Sequence, residues 1–306
     1  MVICVGEILA DMIAQPSDGI LTYGRYAGGA PFNVACGIAK LGGEAGFYGR
    51  VGDDLIGDFL ISFAQGKNLA YCNVKKLPDR NTTLAFVELD GDGDRHFCFY
   101  RKHTADYCFD EADIPEIIEK ANIIYVGSLA LSEERGRQFM DKLIAAAKSA
   151  GKKICYDVNY RDDIFTDAQR AKEIYAKYIG AADIVKLSEE EVALFSAKGN
   201  IDDAVKELAG RDKLVFVTLG AKGSLYCLDG KISRVGAISL RPVDTTGAGD
   251  AYFAGVLSVL DKNGFAAAYD AARTGSICGS LTTLGKGAVD AFPAGEEVQK
   301  LISMLK

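Results

Sequence analysis

Between residues 123 and 219 the chain repeats one pattern, in which a short β-branched apolar run precedes a longer segment with apolar residues at helical spacing. The runs are 123–126, 153–158, 183–187 and 214–219, and the intervening segments include 133–149 and 167–179. Strands joined by helical crossovers run parallel, because a tight hairpin can only reverse the chain. A parallel sheet must be covered on both faces, so the pattern predicts an open α/β sheet between two helical layers. No Pro-, Ser- or charge-rich linker divides the 306 residues, which predicts one main domain with a smaller appendage.

Two regions break this rhythm. From about residue 75 to 100 the chain alternates around the tip Asp90-Gly91-Asp92-Gly93-Asp94, the signature of an antiparallel hairpin and a candidate lid. Residues 8–26 lack a helical period and are expected to add strands beside it, placing the lid within about 8–26 and 75–105. Towards the other end, 249–260 and 265–283 predict two apolar helices packed together, and 296–305 a closing amphipathic helix.

The net charge is −7 with Lys and Arg scattered, which excludes the basic footprint of a nucleic-acid binder. Eight cysteines stand singly, without metal or redox spacing, and predict buried free thiols of a reducing compartment. The first residues form an apolar strand without a signal-peptide pattern, and no apolar run reaches the roughly 20 residues that span a bilayer. The expectation is a cytoplasmic protein with no membrane partner.

The most informative stretch for chemistry runs from Asp244 through Thr245, Thr246, Gly247, Ala248, Gly249 and Asp250 to Gly255. Small residues at 247–249 allow a tight turn, and the helical pattern beyond them aims their amides out of a helix N-terminus as an anion site. Asp250 in the first turn could take a proton from an attacking hydroxyl beside the bound phosphate. The same residues also suit a plain turn with a stabilising acid at the helix start, and the stretch alone does not choose.

A second stretch, Gly28-Gly29-Ala30-Pro31-Phe32-Asn33, leads into a helix. The paired glycines permit close backbone approach, Pro31 suits a first helical position, and Asn33 offers both a donor and an acceptor to a polyol. A simple turn and cap is the alternative reading.

The two stretches, in this order, resemble the two signatures of the phosphofructokinase-B or ribokinase family of carbohydrate kinases, and the resemblance covers essentially the whole chain. Phe99-Tyr100-Arg101 with Ala105-Asp106, and Asp157-Val158-Asn159-Tyr160-Arg161, are similar to the fructokinase branch. The resemblance implies a ribokinase-like three-layer α/β/α sandwich with a mainly parallel central sheet and a small β-sheet lid. It also implies ATP and Mg²⁺, with Asp250 as base and the amides of Gly247, Ala248 and Gly249 as an anion hole.

Carried over by position, Asp11, Gly28, Gly29, Asn33, Arg101, Asn159 and Arg161 would hold the sugar with Asp250. Lys186, Ser188, Thr218, Gly220, Gly223 and Gly249 would face the nucleotide. Glu191 would reach Mg²⁺ through water, although many relatives have Asn at position 188, and Ser188 with Glu191 also spells a helix capping box. Asp244, Thr246 and the loop 282–287 match a K⁺ site. The lid's edge strands suit a homodimer.

Other motifs fail. Gly279 stands one residue too far from Gly285-Lys286 for a Walker loop, and the acidic tip has Arg95 and Arg101 where a calcium loop needs Gly and Glu. Asn81-Thr82-Thr83 is a glycosylation pattern without an export signal, and His96 and His103 have no nearby Ser or Cys motif. Fructose is the leading acceptor, with 2-keto-3-deoxygluconate next because Arg101 and Arg161 together could grip a carboxylate. A non-catalytic sugar sensor is the alternative of another class. A nicotinamide dehydrogenase is excluded by Gly6-Glu7-Ile8 after the first strand.

Overall fold

The computed structural model describes residues 1–17, 19–89, 95–165 and 167–304. The strands are β1 (Val2–Val5), β2 (Leu9–Ser17), β3 (Ile20–Gly28), β4 (Ala45–Gly52), β5 (Tyr71–Leu77), β6 (Leu84–Leu89), β7 (Arg95–Tyr100), β8 (Ile123–Val126), β9 (Lys153–Asp157), β10 (Ile184–Ser188), β11 (Leu214–Thr218), β12 (Ser224–Leu228) and β13 (Lys231–Val235). The helices are α1 (Ala30–Lys40), α2 (Leu55–Gln65), α3 (Ile114–Lys120), α4 (Glu134–Ser149), α5 (Ala168–Ala181), α6 (Glu189–Phe195), α7 (Ile201–Ala209), α8 (Ala248–Asn263), α9 (Ala268–Thr282) and α10 (Gly295–Met304).

Nine strands form one sheet in the order β13-β12-β11-β10-β9-β8-β1-β4-β5. From β11 to β5 every pairing is parallel, and β12 and β13 add an antiparallel edge. The alternation of β8 to β11 explains the two layers. Ile123, Tyr125, Ile184, Leu214 and Phe216 face the core under α1, α2, α8 and α9. Their neighbours Ile124, Val126, Val185, Val215 and Val217 face the opposite core under α3, α4, α5 and α7. Each fully buried branched side chain contributes roughly 1.5–3 kcal/mol, so a one-residue slip in these strands would expose both cores at once. The three-layer expectation is met.

A second sheet of four strands, in the order β3-β2-β6-β7, stands apart from the first. β2 pairs antiparallel with β3 and parallel with β6, and Leu84 to Leu89 pair antiparallel with Tyr100 to Arg95. Residues 75–77, expected in the hairpin, instead complete β5 of the large sheet, where Lys75, Lys76 and Leu77 align with Arg50, Val51 and Gly52. Alternation alone could not tell a large-sheet edge from a hairpin arm. The tip at 90–94 lies outside the described residues.

All eight cysteines are free, as spacing implied, but Cys72 and Cys98 are exposed rather than buried. They lie on β5 and β7, the outermost strands of the two sheets, which have a neighbour on one side only. Among the described residues, no helix is long and apolar enough to cross a membrane.

Candidate active site

The sheet order reverses at β1, which sits between β8 and β4 although it comes first in the chain. Open α/β sheets bind ligands beyond the carboxyl ends of strands at such a switch point. There lies a cleft of about 310 Å³. Glu7 enters it after β1, Ser128 and Leu129 after β8, Asp157, Asn159 and Arg161 from the end of β9, and Lys186 from β10. Gly29 and Asn33 come from the start of α1, Asp11 and Phe99 from the second sheet, and Thr245, Thr246, Gly247, Gly249 and Asp250 from the start of α8.

Gly247 holds the turn into α8 with φ of 73°, the left-handed region that glycine enters without a Cβ penalty. A Cβ there would also stand 2.7 Å from Ala288 Cβ and 2.8 Å from Ala288 Cα. No side chain caps this helix start, so its first-turn amides face the cleft with the positive end of the helix dipole. One expected member of the anion hole differs: the Ala248 amide donates to Thr245 O at 3.2 Å, and Ala248 does not line this cleft. Tightening of the turn uses that amide internally.

Asp250 accepts a hydrogen bond from Asn33 Nδ2 at 2.8 Å, which joins the two sequence signatures directly. Burial raises the Asp250 carboxyl above its ordinary value, while the Asn33 hydrogen bond and the Lys186 and Arg161 charges pull the other way. Asn33 Oδ1 is buried without a partner in the same cleft. Asn159 carries φ of 37°, a left-handed turn that Asn tolerates better than most residues.

Lys186 was expected beside the nucleotide, but lines this cleft instead, because the alternation of β10 turns it towards α8. Its Nζ bonds both Asp157 oxygens, at 2.8 and 2.9 Å, with both side chains almost fully buried. Burial disfavours the ammonium, but the Asp157, Glu191 and Asp250 charges outweigh it and hold Lys186 above its ordinary value. A Cβ on Gly249 would sit 3.4 Å from that Nζ, so the cation lies against the helix start.

Gly28 and Arg101 do not line the cleft. A Cβ on Gly28 would come within 2.0 Å of Asp11 Oδ2, so Gly28 leaves the room that the Asp11 carboxylate occupies. Arg101 is held behind the wall by Asp106, Nε to Oδ2 at 2.7 Å, and by a short contact from Nη1 to Ser132 Oγ. Asp106 is anchored in turn by Thr83 and Thr104. The arginine therefore braces β7 and its following loop.

Sequence reasoning missed Glu7, Ser128 and Leu129, which follow the carboxyl ends of β1 and β8 where the sheet order reverses. Glu7 is buried, and burial pushes its carboxyl up to about 8; its own backbone hydrogen bond and Arg101 oppose that shift, while Asp106 and Asp250 add to it.

A second cavity, of about 370 Å³, meets the first at Thr245 and Gly249. Thr218, Gly220, Gly223 and Ala248 line it, with the unforeseen segment 237–240 and Tyr252, Ser276 and Gly279 from α8 and α9. Ser188 and Glu191 line neither cavity. They form the capping box of α6, and Glu191 Oε1 also accepts the Tyr160 amide at 2.6 Å. Asp244 ties its loop together, accepting Thr246 N and Oγ1 through Oδ1 and Gly287 N through Oδ2.

The sequence matches the profile described as pfkB family carbohydrate kinase over residues 1–294. It is 36% identical over 316 residues to "Probable fructokinase-6, chloroplastic" of Arabidopsis thaliana, covering 98% of this chain and 82% of that protein. The fold is similar to the fructokinase of Xylella fastidiosa with bound ATP, at TM-score 0.90 and 29% identity over 99% of this chain and 98% of that one. It is also similar to the fructokinase of Vibrio cholerae O395 in its fructose, ADP and calcium ion bound form, at TM-score 0.86 and 33% identity over 98% and 97% of the two chains. A family profile spanning nearly the whole chain, with full-length relatives above 30% identity, establishes that this chain belongs to the pfkB family of carbohydrate kinases.

Proposed function

We propose that this chain is an ATP-dependent fructokinase, transferring the γ-phosphoryl group of ATP to a hydroxyl of fructose with Asp250 as the base. One observation carries the reading: Asp250 stands in the first turn of α8, where a cleft of acid and amide side chains meets a second cavity of small and apolar residues. The first suits a polyol, whose hydroxyls both donate and accept, and the second suits a nucleotide. Asp11, Asn33, Asn159 and Arg161 hold the sugar with Gly29, and Thr218, Gly220 and Gly223 border the nucleotide.

In-line transfer needs positioning and charge stabilisation more than covalent chemistry. Asn33 aims the Asp250 carboxylate, which accepts the proton of the attacking hydroxyl. The amides of Gly247 and Gly249 meet the transferring phosphoryl oxygens, and Lys186 supplies a fixed positive charge beside them.

Among the described residues, no three His, Cys, Asp or Glu side chains gather as a metal cage. A magnesium ion would be carried by the nucleotide's phosphates and water; Glu191 could meet it only through water, since it lines neither cavity and its two oxygens accept the Tyr160 and Ser188 amides. Bound there, such an ion would offset phosphate charge. Asp244 and Thr246 form the candidate potassium loop, and omitting K⁺ from the assay tests it.

Fructose is preferred over 2-keto-3-deoxygluconate because the two-arginine grip is not assembled: Arg161 lines the cleft while Arg101 is bound to Asp106 and Ser132. A dimer through the second sheet is supported by Ile20, Leu21, Tyr26 and Tyr100, all exposed on its edge strands β3 and β7, and sedimentation as a monomer would remove it. Eight free cysteines suit a cytoplasmic location, which cell fractionation checks.

The test is ADP release with ATP, Mg²⁺ and K⁺ across fructose, tagatose, ribose, nucleosides and 2-keto-3-deoxygluconate. Fructose is expected to lead, and preference for the sugar acid would overturn the assignment. Asp250→Asn should bind both substrates and lose nearly all turnover; near wild-type turnover would refute its role as base.

A further inference from the structure

We propose that Glu7 is a sugar-contacting, specificity-determining residue, holding one hydroxyl of the acceptor with the unpartnered end of its carboxyl group. The inference rests on the sugar-kinase reading of the cleft and adds to it a residue absent from both signatures.

Glu7 leaves the carboxyl end of β1 and is only 3% exposed, yet it lines the cleft with Asp11, Asn33 and Asp250. Its Oε2 is buried and makes no hydrogen bond. Glycine surrounds this position: a Cβ on Gly127 would lie 3.0 Å from Glu7 Oε2, and one on Gly29 would lie 2.5 Å from Glu7 O. Space has been left for a carboxyl group with one oxygen that makes no hydrogen bond within the protein. Buried polar groups are nearly always hydrogen-bonded, so an orphan oxygen on a residue that lines a ligand cleft points to the ligand.

The chemistry of the cleft explains why an acid stands here. Asp11 and Asp250 as carboxylates can only accept, whereas each sugar hydroxyl also carries lone pairs that need a donor. Glu7 faces Asp106 and Asp250 as well as Arg101, and its burial favours the neutral form at physiological pH. A neutral carboxylic acid both donates and accepts, which a carboxylate beside it cannot do. A sugar lacking the matching hydroxyl leaves that group unsatisfied, which is how polar sites reject deoxy analogues.

The experiment compares wild type, Glu7→Ala, Glu7→Asp and Glu7→Gln in steady-state kinetics with fructose and its singly deoxygenated analogues. Glu7→Ala should raise the KM for fructose roughly ten- to a hundredfold, with the KM for ATP unchanged. One analogue should show a similar loss with wild type and no further loss with Glu7→Ala, which a merely structural role would not produce. Glu7→Asp draws the acid back by one methylene and serves as the second variant should Glu7→Ala fail to fold; it should share the loss. Glu7→Gln keeps a donor and an acceptor and should recover most of the affinity. Active wild type with every analogue penalised equally in wild type and the variants would overturn this inference alone. Wild type that phosphorylates no sugar would overturn the reading of the cleft along with it.

Discussion

Removing either partner of the Lys186–Asp157 pair should cost far more than removing both. The two Nζ–O distances of 2.8 and 2.9 Å and side-chain exposures of 8% and 1% describe a dry, two-pronged ion pair. Breaking such a pair strands one buried charge and costs about 3–5 kcal/mol, while replacing both ions by apolar groups of similar size is often neutral. For 306 residues, at about 2.1 cal/mol/K of unfolding entropy per residue, that single-site cost is a fall in Tm of roughly 5–8 °C. Asp157→Leu strands an ammonium that burial disfavours, so its cost is fullest at low pH and eases as the pH rises and the amine can shed its proton. Lys186→Met strands a carboxylate, which can escape by taking a proton. Its folded pKa then rises further above the unfolded value of about 4, so the stability of this variant is greatest at acid pH and falls as pH rises from there. The double variant Asp157→Leu/Lys186→Met should return to within about 1–2 kcal/mol of wild type yet stay about a hundredfold down in kcat, because the charge beside Gly249 is gone. Thermal melts at pH 5 and pH 8, with ADP-release kinetics on each variant, make the measurement. A double variant as unstable as the worse single would refute the desolvation argument, and full kcat in Lys186→Met would refute the catalytic role of Lys186.

Two glycines carry the remaining expectations. Gly247→Ala must adopt φ of 73° and push its Cβ against Ala288 at 2.7 Å, so the helix start has to move; a misplacement of about 1 Å costs on the order of a hundredfold in kcat, and unchanged kcat would refute the anion-hole geometry. Gly28→Ala drives a methyl into the space of Asp11 Oδ2, so the KM for the sugar should rise more than about tenfold with the KM for ATP unchanged, measured by varying each substrate at saturation of the other.

The layered sheet was legible because each strand from 123 to 219 announces itself locally, with β-branched residues and a helical segment after it. The starts of α1 and α8 were legible for the same reason, since a positive-φ glycine and an uncapped first turn are properties of a few adjacent residues. Lys186 and Arg101 were not. Whether a charged side chain faces a ligand or another side chain depends on partners far along the chain, and Asp157 and Ser132 are each about 30 residues away. Glu7 was missed because a lone acid after a first strand carries no spacing; only the sheet order, which puts β1 at the reversal, makes that position special.

The same dependence explains why the second sheet matters to the chemistry. β2 carries Asp11 and β7 carries Phe99, both lining the cleft, while β6 couples the two strands through a parallel pairing on one side and an antiparallel one on the other. Neither strand touches the large sheet through a ladder of hydrogen bonds. The Arg101 network, running from Ser132 through Asp106 to Thr83 and Thr104, instead ties the ends of β6 and β7 to the loop after β8. Asp11 and Phe99 therefore take their position relative to Asp250 partly from a buried salt bridge, in which Arg101 spends Nε on Asp106 and Nη1 on Ser132 while Nη2 stays buried without a partner.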